Sequence, residues 1–296
     1  MGFSIRSIVA ASFVALAVVA PSSTVAQGHP QPCVQRTFEE ARFTVCAFDS
    51  EKDELKLVVR DASGKAYRRL PKLAEAMGDR ALDVSFAMNA GMFDAMGAPI
   101  GLYVENGKTL KALNQRNGFG NFHLNPNGVF WSSNDGGLHV STTDDYAAEK
   151  PRAKWETHSG PMLVIGGKLH PAFSPDGDSR YIRNGVGVTS EHTAVFVISD
   201  DEVSFGKFAR FFRDELKTDN ALYFDGAVSS LWAPSLRPGS SRTRSCSGRP
   251  APRARGPRLR RRDRGTGGER PGPGPAQVDR RPVPHAGTSS GTPSGT

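Results

Sequence analysis

No apolar run in this sequence is long enough to cross a bilayer as a helix. The longest, residues 8–20, has 13 residues, against the roughly 20 that a span needs. It follows Arg6 and precedes the small-residue stretch Thr24-Val25-Ala26, so residues 1–26 read as a cleavable export leader and not as a stable membrane anchor. Cysteine is scarce as well. None of the three cysteines belongs to a Cys-x-x-Cys pair, which argues against a dithiol redox motif or a zinc ribbon. Cys33 and Cys46, 13 positions apart at the start of an exported domain, instead suggest a disulfide that pins the first strand. Cys246 would then be unpaired. The seven histidines show no His-Glu-x-x-His or comparable spacing, and Asp176-Gly177-Asp178 is too short for a calcium loop, so no metal is implied. Nor is a cofactor. Gly185-Val186-Gly187 lacks the third glycine of a dinucleotide loop, Ser190 standing in its place, and no helix follows.

From residue 237 to the end there is no lysine and no aromatic residue, but there are 14 arginines against Asp263, Glu269 and Asp279, a net charge of +11. The whole chain carries +8, so residues 1–236 carry −3, and the basic character belongs to the C-terminal segment alone. Clustered arginine can neutralise phosphates. Without stacking side chains, and with too few large apolar residues to offset the entropy of ordering, residues 237–296 are expected to be disordered and not a nucleic-acid module. Arg, Pro, Gly and Ala without Lys is also what a GC-rich coding region yields in the wrong frame, so a frameshift near Leu236 is the expected origin. Residues 27–236 are left as one domain with room for a sizeable core.

That domain reads as short strands divided by Gly, Asn and Pro. Strands are expected at residues 43–48, 55–60, 83–88, 128–131, 185–189, 194–199 and 221–224. Asn106-Gly107 and Gly166-Gly167 sit where two hairpins must turn, and type I′ turns need positive φ at both central residues. Helices are few: a short one over residues 73–77, and a clear one over residues 205–216. In the latter Phe205, Phe208, Ala209, Phe212 and Leu216 share one face behind Ser204 as N-cap. The fold class is α+β, a single domain with a mixed or antiparallel sheet.

Polar residues cluster at strand ends beside glycines, where a ligand can approach the backbone closely. Met88-Asn89-Ala90-Gly91-Met92-Phe93-Asp94 offers an amide and a carboxylate. Ser159-Gly160-Pro161 precedes the second hairpin, and Arg183-Asn184-Gly185-Val186-Gly187 opens a strand with a guanidinium whose planar fork matches phosphate oxygens. Asp225-Gly226-Ala227-Val228-Ser229-Ser230 puts a carboxylate at a strand end, where it could serve as base or nucleophile. Ser204-Phe205-Gly206-Lys207 matches Ser-x-x-Lys, but neither Lys-Thr-Gly nor Ser-Asp-Asn accompanies it, which weakens a penicillin-hydrolase reading.

Taken together and in this order, these segments resemble the bacterial branch of the phosphodiester glycosidases. The resemblance also covers Pro99-Ile100-Gly101-Leu102-Tyr103 and Gly120-Asn121-Phe122-His123-Leu124-Asn125-Pro126-Asn127-Gly128-Val129-Phe130. Two departures stand out: His158 holds the place where Gln is expected, and Ala227-Val228 replaces Gly-Gly. The resemblance implies an exported, periplasmic or secreted hydrolase that cuts the bond between a sugar anomeric carbon and phosphate. Its leaving group is already a phosphate monoester, so charge stabilisation matters more than general-acid help. On this reading Asp225 attacks C1 or activates water, and Arg183 holds the phosphate. Asn89 is a further catalytic candidate, and Asp94 is a second carboxylate or a metal ligand. Gly91, Ser159, Gly160, Asn184, Gly185, Gly187, Gly226, Ser229 and Ser230 surround the substrate, a phosphorylated glycan or sugar phosphate. The alternative is an exported module that binds such a glycan without cutting it.

Overall fold

The computed structural model describes residues 32–233 and 244–245. The leader expected at residues 1–26, Cys246 and the rest of the Arg-rich segment lie outside the described residues. In chain order the elements are β1 (Cys33–Phe38), β2 (Ala41–Asp49), α1 (Leu70–Met77), β3 (Ala87–Met88), β4 (Tyr103–Glu105), β5 (Lys108–Lys111), β6 (Gly128–Ser133) and β7 (Leu138–Thr142). There follow α2 (Thr143–Glu149), β8 (Ala153–Ser159), β9 (Met162–Ile165), β10 (Lys168–Leu169), β11 (Asn184–Ser190), β12 (Thr193–Ser199), α3 (Phe205–Arg210), β13 (Asn220–Tyr223), β14 (Ser230–Trp232) and β15 (Arg244–Ser245). All described strand pairings are antiparallel.

Alternation within single strands builds the layers. In β12, Ala194, Phe196 and Ile198 face one side and Val195 and Val197 the other, and both sides are covered. One side of the seven-stranded sheet, ordered β1-β2-β12-β11-β13-β9-β10, meets Phe130, Leu138, Val140 and Trp155 of the five-stranded sheet β5-β4-β8-β6-β7. The other side packs Phe43, Val45, Val197 and Tyr223 against Phe208, Phe211 and Phe212 of the helical segment that begins with α3. Each fully buried aromatic there contributes about 1.5–3 kcal/mol. The outer side of the five-stranded sheet carries a third cluster, Leu102, Val104, Val129 and Trp131, under Tyr146 of α2. A small third sheet, β15-β14-β3, brings Leu231 against Met88. The architecture is α+β with antiparallel sheets and three short helices among the described residues.

Cys33 and Cys46 are direct cross-strand partners in β1 and β2 and form the expected disulfide. The two hairpin turns also form, with φ of 53° and 74° at Asn106 and Gly107 and of 52° and 73° at Gly166 and Gly167. Three expectations are corrected. Residues 55–60 keep their alternation, Leu55, Leu57 and Val59 turned inward, but find no neighbouring strand beyond an isolated bridge from Arg60 to Ala66. Of residues 83–88 only Ala87 and Met88 pair as a strand, because Gly78–Asp83 closes into a 3-10 turn after α1. The helix expected over residues 205–216 starts at Ser204, whose hydroxyl accepts from Lys207 N, but widens into a π turn over Phe211–Glu215. That widening buries Phe211 as well as Phe212, a placement the regular period did not give.

Candidate active site

The small sheet and the edge of the large one meet at a junction of amides and hydroxyls. Asn89 leaves β3, Asn184 opens β11, and Ser229 and Ser230 lead into β14. Asn184 Nδ2 donates to the Asn89 carbonyl oxygen at 2.8 Å and to Asn89 Oδ1 at 3.0 Å. The same Oδ1 accepts from Ser230 N at 2.8 Å, while Asn89 Nδ2 donates to the carbonyl oxygen of Asp225 at 3.0 Å. Ser229 Oγ lies 3.1 Å from Asn184 Oδ1. Asn184 and Ser229 are fully buried, so these bonds form away from competing water. Asp225 follows Phe224 just after β13, half-exposed, with its backbone carbonyl tied to Asn89.

Arg183 lies behind this loop, on the α3 side of the sheet. Its guanidinium is 1% exposed and stacks on the Phe205 ring at 3.6 Å. Nε donates to Val203 O at 2.8 Å, Nη2 to Ser179 O at 2.7 Å and Nη1, more weakly, to Tyr223 Oη at 3.5 Å. Burial draws its pKa down, with the Tyr223 phenol working against that. Each of the three nitrogens thus has a protein oxygen as a partner, which takes up three of the guanidinium's five N–H donors. Tyr223 is buried beside it, and burial raises the phenol's pKa, opposed by the Arg183 charge.

The glycines beside these residues are closed by protein. A Cβ at Gly91 would lie 2.5 Å from Thr157 Oγ1, which accepts from Gly91 N, and 2.6 Å from His158 O. One at Gly160 would meet Asn127 Cβ at 2.6 Å, one at Gly185 would meet Leu222 O at 2.6 Å, and one at Gly187 would meet Thr218 Cγ2 at 2.7 Å. Small size at these positions serves close packing of chain on chain. Ser159 is fully buried, and among the described residues its Oγ has no hydrogen-bond partner. Asp94 stands apart from the junction, exposed, its Oδ1 accepting from Met96 N and Ala98 N in its own turn at 2.9 Å each.

His158, which stands where Gln was expected, points away from the junction toward the outer side of the five-stranded sheet. Leu102 N donates to its Nδ1 at 3.5 Å, which leaves the proton on Nε2 to bond Thr143 Oγ1 at 3.0 Å. Thr143 in turn donates to Asn127 Oδ1 at 2.7 Å, and Asn127 Nδ2 donates to Phe122 O at 2.8 Å. Burial, aided by the nearby His123, holds the His158 pKa down at about 3, so it is neutral. Beyond this chain lies a hollow of about 290 Å3 lined by Asn114, Arg116, Asn125, Asn127, Thr142 and Asp144 among others. None of the expected site residues lines it, although Asn125, Pro126 and Asn127 belong to a stretch that carries the family resemblance. Among the described residues no group of three or more His, Cys, Asp or Glu could hold a metal ion. Thr157 and Tyr223 were not among the expected residues: Thr157 lies in β8, which was not expected as a strand, and Tyr223 lies in an apolar strand that reads only as core.

A family model described as phosphodiester glycosidase matches residues 83–255. The chain is 34% identical over 182 residues to the uncharacterized protein YigE of Escherichia coli (strain K12), covering 62% of this chain and 70% of that one. Among solved structures it is similar to the zebrafish N-acetylglucosamine-1-phosphodiester alpha-N-acetylglucosaminidase catalytic domain, auto-inhibited by its pro-peptide. There the identity is 16%, the coverage 68% of this chain and 71% of that one, and the TM-score 0.45.

Proposed function

The chain belongs to the phosphodiester glycosidase family, and from that premise we propose that it hydrolyses sugar 1-phosphodiesters with Asp225 as the reacting carboxylate. The observation that carries this reading is the buried junction that anchors the Asp225 backbone to Asn89, inside the matched region. Asn89 is itself fixed by Asn184 and Ser230. A carboxylate held by a rigid, hydrogen-bonded support loses little orientational freedom on reaching the transition state. Asp225 would attack C1 or draw a proton from water there, while the C1–O bond breaks and its electron pair leaves on the phosphate oxygen. That departing phosphate monoester is weakly basic, so the step leans less on a general acid.

Asn89, Asn184, Ser229 and Ser230 serve this reading by shaping and holding the loop, their polar atoms being largely spent on one another. Ser159 is the exception, a buried hydroxyl with bonding capacity left over. Arg183 contributes a buried positive charge behind the loop. Export to the periplasm or the medium agrees with the Cys33–Cys46 disulfide, a bond that persists in oxidising compartments.

The full chain should release free sugar from at least one member of a panel of nitrophenyl- and nucleotide-linked sugar 1-phosphodiesters. Saturable binding with no sugar released would replace the hydrolase by a glycan-binding module.

A further inference from the structure

Tyr223 has no part in the chemistry above, yet its hydroxyl lies where the buried arginine and the Asp225 loop meet. Gly226, the residue after Asp225, approaches so closely that a Cβ there would overlap Tyr223 Oη and lie 2.7 Å from Cζ. The Asp225 charge acts on this phenol as well, opposing its ionisation. From the other side Arg183 Nη1 donates to that oxygen at 3.5 Å. The guanidinium cannot easily move away from it. It is held by Val203 O and Ser179 O and lies flat on Phe205, whose other neighbour Phe173 stacks at 4.9 Å. Phe205 also meets the Tyr223 ring edge-on at 4.8 Å.

We infer that Tyr223 is a positioning residue: its hydroxyl transmits the fixed placement of the buried Arg183 to the loop that carries Asp225, so that Arg183 acts on the reaction through Tyr223. The inference rests on the reading of Asp225 as the reacting carboxylate. It differs from a phosphate clamp in what it requires of the two residues. A clamp would tighten substrate binding, whereas a positioning pair alters turnover and leaves ground-state binding nearly unchanged. Two residues acting in series also lose their effect once, not twice.

The experiment compares Tyr223→Phe, Arg183→Lys and the double variant on a nitrophenyl sugar 1-phosphodiester that the unaltered chain turns over. Phenylalanine keeps the ring and its contact with Phe205 and removes only the hydroxyl. The expected result is a fall in kcat of about tenfold or more in each single variant with KM within about twofold, and a double variant no worse than the poorer single one. Hydrogen exchange over residues 224–230, faster by about tenfold in Tyr223→Phe with β2 and β12 unchanged, reads the same tie without turnover. Unchanged kcat and exchange, a rise in KM alone, or losses that multiply in the double variant would overturn the inference. A wild-type chain that releases no sugar would remove the proposed activity, while the exchange measurement would still decide whether Tyr223 holds the loop.

Discussion

At the scale of single residues, burial does more than charge count to set behaviour. His158 and His170 are both buried, and burial holds their pKa values at about 3 and about 4. In the unfolded chain each imidazole takes up a proton near pH 6.5. Between that pH and the folded values the unfolded state binds more protons, so stability falls as pH falls from about 6.5 and is unaffected above it. Replacing His158 with Gln should flatten this acid limb when unfolding by urea is followed from pH 7 to pH 4. Equal slopes in the two proteins would show that His158 is not held neutral. Arg183 illustrates the same point from the sequence side. An arginine before two glycines reads as an exposed anion-binding fork, and nothing local reveals that Phe205, some twenty positions on, lies flat against it.

At the scale of elements, close approach between chains is the constraint to test. Gly91 lies against Thr157 and His158 of β8, and the backbone oxygen there cannot swing aside as a side chain could. Gly91→Ala should therefore lower stability by about 1–3 kcal/mol in a denaturant titration, and an unchanged midpoint would contradict the packing described. Ser204→Ala should remove about 1 kcal/mol through the lost cap on α3, with turnover preserved. Hairpins and caps were legible because their signals are local: Asn-Gly, Gly-Gly, and a serine before an aromatic face. Residues 55–60 misled because inward alternation is necessary for a strand and does not supply a partner. Strands β7 and β8 and helix α2 went unread, although Thr142 accepts from Asp145 N as an ordinary cap. The expected junction residues Asn89, Asn184, Asp225, Ser229 and Ser230 do come together, each from the end of an element. Thr157 was hidden with β8 itself, and Tyr223 because it stands in an apolar strand that reads only as core.

At the scale of the whole molecule, one covalent tie and one composition boundary frame the account. The disulfide closes a loop between β1 and β2 and removes freedom from the unfolded chain, so Cys33→Ala with Cys46→Ala should lower stability by about 3 kcal/mol. A loss near zero by denaturant titration would show that strand pairing alone fixes that edge. The composition boundary at residue 236 does not bound the described strands: Arg244 pairs with Leu231 and Ser245 with Ser230, next to the loop that carries Asp225. The proposed cleavage depends on one carboxylate, Asp225, just after β13. Asp225→Asn is the direct measurement, made on a sugar 1-phosphodiester with melting temperature followed in parallel. The account predicts a fall in kcat of about 100-fold or more at an unchanged melting temperature. Turnover within a few-fold of the unaltered chain would place the chemistry elsewhere.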